Sequence, residues 1–241
     1  MDRTNYTNYL VEAFNKNALG HLIDQGKAEK IYELYITLVE TNRITNLTAI
    51  TEEKDAILKH FIDSATVCDR IPKDATVLDV GCGAGFPSLP LAILRPDVKV
   101  TSIDSTGKKI NFVNATASKL GLTNIQAICT RAEDFAKTNR EAFDACTSRA
   151  VARLNILSEL CIPFVKIGGH FVAMKSDKGI EEHTEAIRGI NTLGCKFESK
   201  QNLELSLENN SISREIYVYS KEKSTPSVYP RNFSQITKKP L

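Results

Sequence analysis

From residue 75 onward the chain repeats one pattern, a short β-branched apolar run followed by a helical one. The runs are TVLDVG (76–81), KVTSID (99–104), IQAICT (125–130), FDACTS (143–148) and HFVAMK (170–175). Helical spacing follows over 86–94, 107–120, 132–139, 152–162 and 178–190. Such runs suit strands buried on both faces, and the intervening helices suit parallel crossovers. The ending breaks the pattern. KFESKQNLEL (196–205) and REIYVYSK (214–221) are joined by SLENNSIS (206–213) with no helix between them, which predicts a hairpin. The expectation is a doubly wound α/β sheet closed by an antiparallel hairpin.

Upstream, residues 1–70 have helical texture. Ile31, Leu34, Tyr35, Leu38 and Val39 make one apolar stripe, and Ile57, Leu58, Phe61 and Ile62 make a second. NRITNLTAIT (42–51) is expected to be a polar connector between them. A chain of 241 residues, 42% apolar, can bury the core of one α/β domain with an appendage. The division expected is a helical extension over 1–70, an α/β domain over 71–221 and a tail over 222–241. The last stretch, EKSTPSVYPRNFSQITKKPL, holds three prolines and is expected to be loop. No apolar run nears the roughly 18 residues of a membrane span, and MDRTNYTNYLVEAF is too polar for a secretory leader, so a cytoplasmic protein is expected. The six cysteines are too widely spaced for a metal knuckle or a redox pair, so neither zinc nor disulfides are expected. The net charge of +2 is uneven. The segment 221–241 carries Lys221, Lys223, Arg231, Lys238 and Lys239 against Glu222, which points to a polyanionic partner.

VLDVGCGAGFPS (77–88) leaves the first strand through Gly81, Gly83 and Gly85. A dinucleotide fingerprint needs its third glycine at position 86, where this chain has Phe86, and no Gly-Lys-Ser/Thr follows for a Walker loop. Backbone can still approach a ligand closely, but the pattern is wrong for phosphates. Pro87 suits a first helical turn, where its missing N–H costs nothing. Asp104 ends the second strand, where a carboxylate can accept from both hydroxyls of a ribose. Glu133 follows the third strand and can accept from an adenine amine. Arg149 ends the fourth, placed to hold a carboxylate or phosphate. A nucleoside gripped by its sugar and not by a diphosphate fits S-adenosylmethionine.

Together, VLDVGCGAGFPSLPLAILRP, IDSTGKKINF, TRAEDF and TSRAVARL resemble the bacterial small-subunit rRNA guanine-N7 methyltransferase family, also called glucose-inhibited division protein B. The likeness extends to NLT (46–48), HFIDS (60–64), VAMK (172–175) and YPR (229–231), spanning roughly residues 40 to 235. The resemblance implies a class I, Rossmann-like methyltransferase with a seven-stranded sheet. It implies S-adenosylmethionine as donor, leaving S-adenosylhomocysteine, and a guanine in the decoding-region loop of 16S rRNA as acceptor, within the 30S subunit or an assembly intermediate. Cofactor contacts are expected at Gly81, Gly83, Gly85, Phe86, Asp104, Ser105, Thr106, Ala132, Glu133 and Arg149. Two positions depart from the family pattern: Ser88 stands where a further glycine is usual, and the tail runs YPRNFSQITKKPL where Gly-Thr-Pro is usual.

Guanine N7 carries a lone pair and no proton, so direct displacement at the methyl needs no general base, and rate comes from positioning and water exclusion. The fourth strand ends in Ser-Arg-Ala, not the Asn/Asp-Pro-Pro-Tyr/Phe of exocyclic-amine enzymes, and no Pro-Cys or Thr-Cys nucleophile is present. Arg149 and Lys175 are candidates for positioning. Lys108, Lys109, Arg153, Lys175, Arg231, Lys238 and Lys239 are candidates for RNA phosphates. His60 and Asp63, three apart, are expected to form a capping or packing pair, and no metal site is expected. The alternatives are a nicotinamide oxidoreductase, which Phe86 and the hairpin disfavour, a cofactor-sensing RNA-binding assembly factor, and a methyltransferase for another RNA or a small molecule. The protein is expected to be a monomer.

Overall fold

The structure, a computed structural model, describes residues 1–149, 152–176 and 179–241. Its centre is one seven-stranded sheet in the order β3-β2-β1-β4-β5-β7-β6. The strands are β1 (Thr76–Val80), β2 (Lys99–Asp104), β3 (Ile125–Cys129), β4 (Phe143–Arg149), β5 (Val165–Lys175), β6 (Cys195–Leu207) and β7 (Asn210–Lys221). The first five pair in parallel, and β7 enters antiparallel between β5 and β6. The order reverses at β1, so the carboxyl ends of β1 and its neighbours flank the crevice where open α/β sheets bind ligands.

The helices are α1 (Arg3–Lys16), α2 (Gln25–Thr45), α3 (Glu53–Ala56), α4 (Asp63–Ala65), α5 (Ser88–Leu94), α6 (Gly107–Lys119), α7 (Ala132–Phe135), α8 (Leu154–Cys161), α9 (Gly179–Thr192) and α10 (Phe233–Lys238). Asp2 and Asp24 start α1 and α2 by accepting from Asn5 N–H and Lys27 N–H, satisfying donors that a first turn leaves free. Asn46 ends α2 in the left-handed region at φ 47°, a conformation that asparagine tolerates. A π-helical stretch, Ile57–Ile62, joins α3 to α4. It buries Ile57, Leu58, Phe61 and Ile62, the second predicted stripe.

Alternation along β1 feeds two cores. Val77 belongs to one buried cluster with Phe14, Leu34, Phe61, Leu89 and Val113, and Leu78 to another with Leu157, Phe164, Phe171 and Tyr219. The N-terminal helices therefore share a core with the sheet and do not form a separate globule. Each large apolar side chain so buried contributes about 2 kcal/mol, and removing Phe61 to Ala would cost about 3–5 kcal/mol through transfer and cavity terms.

Four boundaries differ from expectation. The connector is shorter, since α2 runs through Thr45. Strand β5 starts at Val165 and not 170, running through a register shift opposite Phe143 and Ala145, with Gly168 at φ 85°. The hairpin loop contracts to two residues, with Leu207 paired to Asn210. The tail carries a helix, α10, whose Ile236 is buried in the second core. The predicted start of the 178–190 helix, at Lys178, lies outside the described residues, as does Ala150 of the Ser-Arg-Ala motif.

Candidate active site

A cavity of about 550 Å³ opens at the carboxyl ends of β1 to β4, lined by Val80, Gly81, Ile103, Asp104, Thr130 and Arg149 among others. Its floor is the glycine turn. Gly81 and Cys82 N–H both donate to Ile103 carbonyl oxygen, at 2.8 and 3.1 Å, tying the turn to β2. Gly83 sits at φ 57° and a Cβ there would project into open space. Gly85 has another task. A Cβ on it would meet Leu89 Cδ1 at 2.5 Å, so this glycine lets the turn pack on α5 and does not line the cavity.

Asp104 holds the turn from the next strand. Its Oδ2 accepts from Gly83 N–H at 3.0 Å and its Oδ1 from Thr106 N–H at 2.8 Å. Each carboxylate oxygen keeps a lone pair for a ligand. Ser105, Ala132 and Glu133 also line the cavity, whereas Thr106 acts through its backbone on Asp104. Phe86 lines the cavity while 5% exposed. It stacks on His60, ring centroids 4.2 Å apart and 10° from parallel, with the Arg149 guanidinium 5.5 Å from its centre.

Arg149 is fixed from the N-terminal helices. It donates to Asp63 Oδ2 at 3.0 Å and to Lys59 carbonyl oxygen at 2.8 Å, and contacts His60 Nδ1 at 3.4 Å. Asp63 Oδ1 accepts from Arg214 Nε on β7 at 2.8 Å. A buried carboxylate between two guanidiniums is compensated on both sides, as a buried charge must be. Burial, with the Arg149 charge adding to it, pushes the His60 imidazole down to about 3, so the ring is neutral. His60 and Asp63 thus do more than cap or pack. They join the π-helical stretch, β4 and β7 at the cavity wall.

Sequence reasoning missed several residues of this wall. Leu47 and Thr48 line it, held because Asn42 Oδ1 accepts from both their N–H groups. Thr130, Arg131 and Leu160 line it too, and Phe233, 42% exposed, brings an aromatic ring from the tail helix. The motifs NLT and HFIDS were visible signals without a role until this wall supplied one. Asp79 on β1 was also missed. It is wholly buried, and burial pushes it up to about 7, with hydrogen bonding from Ser88 and the Arg149 charge pulling the other way.

The basic candidates divide. Lys109 lines the cavity, and Lys238 and Lys239 are exposed on the tail. Lys108 donates to Thr45 carbonyl oxygen, holding the end of α2. Lys175 is corrected: its side chain is 8% exposed, ion-paired with Glu182 at 2.7 Å and bonded to Ala152 carbonyl oxygen, so it faces inward. Arg153 pairs with Glu185 at 2.7 Å. Arg231 is corrected likewise, since it clamps the buried Glu159 through two nitrogens, Nη2 at 2.5 Å and Nε at 2.9 Å. Among the described residues no group of three His, Cys, Asp or Glu could hold a metal, and no helix is long and apolar enough to cross a membrane.

The family model described as rRNA small subunit methyltransferase G (GidB) matches residues 27–212. The chain belongs to this family. A ribosomal RNA small subunit methyltransferase G from Clostridium perfringens is 44% identical, aligned over 93% of this chain and 95% of its own length. One from Desulforamulus reducens is 48% identical over 88% of each. Among solved structures, a SAM-dependent methyltransferase from Aquifex aeolicus is similar at a TM-score of 0.51 and 20% identity, covering 68% of this chain and 92% of that one. That likeness shows a shared methyltransferase fold. The family and the fold agree with the class I, seven-stranded expectation, including the antiparallel hairpin at its end.

Proposed function

We propose that this protein transfers a methyl group from S-adenosylmethionine to N7 of one guanine in the decoding-region loop of 16S rRNA, acting as a cytoplasmic monomer on the 30S subunit or its assembly intermediate. One observation carries the reading. A carboxylate, Asp104, is fixed beside an open glycine turn in a cavity at the carboxyl ends of the parallel strands. The donor fits the residues present: Gly83 leaves the space a nucleoside needs, Asp104 offers lone pairs to a ribose diol, and Glu133 offers an acceptor to the adenine amine. When bound, the donor supplies an electrophilic methyl on a sulfonium.

The protein's part is positioning and exclusion of water. Arg149, locked by Asp63 and Lys59, supplies a fixed positive charge at the β4 end of the cavity, where it can hold the donor's carboxylate or an RNA phosphate. His60 cannot serve as a base, because its nitrogens face Arg149 and Thr48 and its ring resists a proton. An acceptor atom without a proton, such as guanine N7, needs none. The dinucleotide alternative is disfavoured by the same geometry. Phe86 fills the third-glycine position, and α5 begins behind Pro87, which has no N–H to offer a pyrophosphate.

Lys109, Lys238 and Lys239 are the cations placed to meet RNA phosphates. Mass-spectrometric mapping of 16S rRNA from cells with and without this protein tests the assignment. One 7-methylguanosine present only with the protein is expected. An identical modification pattern in both strains would refute it.

A further inference from the structure

The hydrogen-bond chain behind the cavity wall leaves one proton free. A guanidinium can only donate, so the contact of Arg149 Nη2 with His60 Nδ1 at 3.4 Å makes Nδ1 an acceptor. In the neutral ring the proton is then on Nε2. That nitrogen lies 3.2 Å from Thr48 Oγ1, with the Ile50 backbone as a further partner of the ring, so it turns a proton and no lone pair toward Thr48. The same oxygen accepts from Ile50 N–H at 3.1 Å. Both neighbours of the Thr48 hydroxyl oxygen are therefore N–H groups. Its own O–H donates to no acceptor among the described residues, and Thr48 lines the cavity.

This donor is at the end of the cavity where the acceptor must come. Asp104 and Glu133, the ribose and adenine acceptors, follow β2 and β3 on one side of β1. His60, Phe86 and Arg149 cluster with Thr48 toward β4 on the other side. In the proposed reading, on which this inference rests, the methyl group lies toward that second side. Guanine presents O6 and N7 side by side on one edge, both acceptors, whereas adenine presents N7 beside an amine. A fixed O–H donor next to the methyl-accepting position suits the first edge and opposes the second.

We propose that Thr48 donates a hydrogen bond to O6 of the target guanine and thereby selects guanine over adenine. The role is one of specificity. Thr48 takes no proton and attacks nothing, and His60 acts through it by fixing which way its hydroxyl points. The His60 ring stays neutral throughout the physiological range, since burial and Arg149 hold it down to about 3, so the direction of donation does not reverse with pH.

The test is a two-by-two comparison of kcat/KM for methyl transfer to 30S particles bearing guanine or 2-aminopurine at the target nucleotide. 2-Aminopurine keeps N7 and lacks O6. Wild-type protein is expected to lose about 10- to 100-fold on 2-aminopurine, the usual size of one such contact. Thr48→Val is expected to lose a similar factor on guanine and almost nothing further on 2-aminopurine. Thr48→Ser, which keeps the hydroxyl, should show the wild-type penalty. Affinity for S-adenosylhomocysteine, measured on all three proteins, should agree within about twofold. A purely structural Thr48 would give penalties that multiply, and that result, or a wild-type protein indifferent to O6, would overturn the proposal. Failure of wild-type protein to methylate N7 of the guanine-bearing particle would instead bring down the reading on which the proposal rests.

Discussion

Asp104 binds the protein to itself before it binds anything else. Its two oxygens fasten Gly83 and Thr106, so the cavity-lining carboxylate is oriented in advance. Asp104→Ala should therefore weaken S-adenosylhomocysteine binding by about 10- to 100-fold in calorimetric titration, the loss of charged hydrogen bonds worth about 1–3 kcal/mol. Unchanged affinity in a folded variant would remove Asp104 from the site. Asp79 makes a prediction of opposite character. Its folded value, about 7, lies above the ordinary carboxyl value, so the folded state favours the protonated group. Its contribution to stability is full below about pH 4 and is lost as pH rises through 7. Asp79→Asn, which cannot ionise, should raise Tm by roughly 5 °C over wild type at pH 8, with the gain fading toward pH 4. Asp104 and Glu133 were legible in the sequence because strand ends face the crevice in any doubly wound sheet. The Asp63–Arg149 pair was not, because its members are 86 residues apart and only the folded sheet brings them to one wall.

At the scale of elements, the pattern located every strand, because the five parallel strands are apolar runs and the last two lack a helix between them. Ends were harder. SLENNSIS looks like a loop, since its polar side chains suit a turn, yet most of it extends the β6–β7 pairing to a two-residue reversal at Glu208 and Asn209. Helix α10 was hidden among prolines. Its start depends on a reciprocal cap, Asn232 with Gln235, and its place on Arg231 gripping Glu159 from α8. That clamp predicts a specific energetic pattern. Arg231→Ala leaves a wholly buried carboxylate without its countercharge, held only by the residue 231 backbone N–H, and should cost about 3 kcal/mol in denaturant unfolding. Adding Glu159→Gln should restore part of that loss. Equal loss in the single and double variants would show that Glu159 does not depend on Arg231.

Across the whole molecule, the extension, sheet and tail converge on one cavity: Thr48 and His60 come from the first, Asp104 and Arg149 from the second and Phe233 from the third. The sequence showed three regions of different texture and a basic end. It could not show that Arg231 and Lys175 spend their charge inside the protein, because ion pairing is a property of the packed state. Two exposed cations near the end of the tail, Lys238 and Lys239, predict RNA affinity that weakens as salt rises, with a shallower slope when both are replaced by Gln, measured by filter binding to 30S particles. The most direct measurement is transfer of a labelled methyl group from S-adenosylmethionine to purified 30S particles taken from cells lacking this protein. The account predicts label on N7 of a single guanine of 16S rRNA, located by strand scission at 7-methylguanosine. Label on an exocyclic amine, a ring carbon or a ribose hydroxyl, or no label at all, would contradict it.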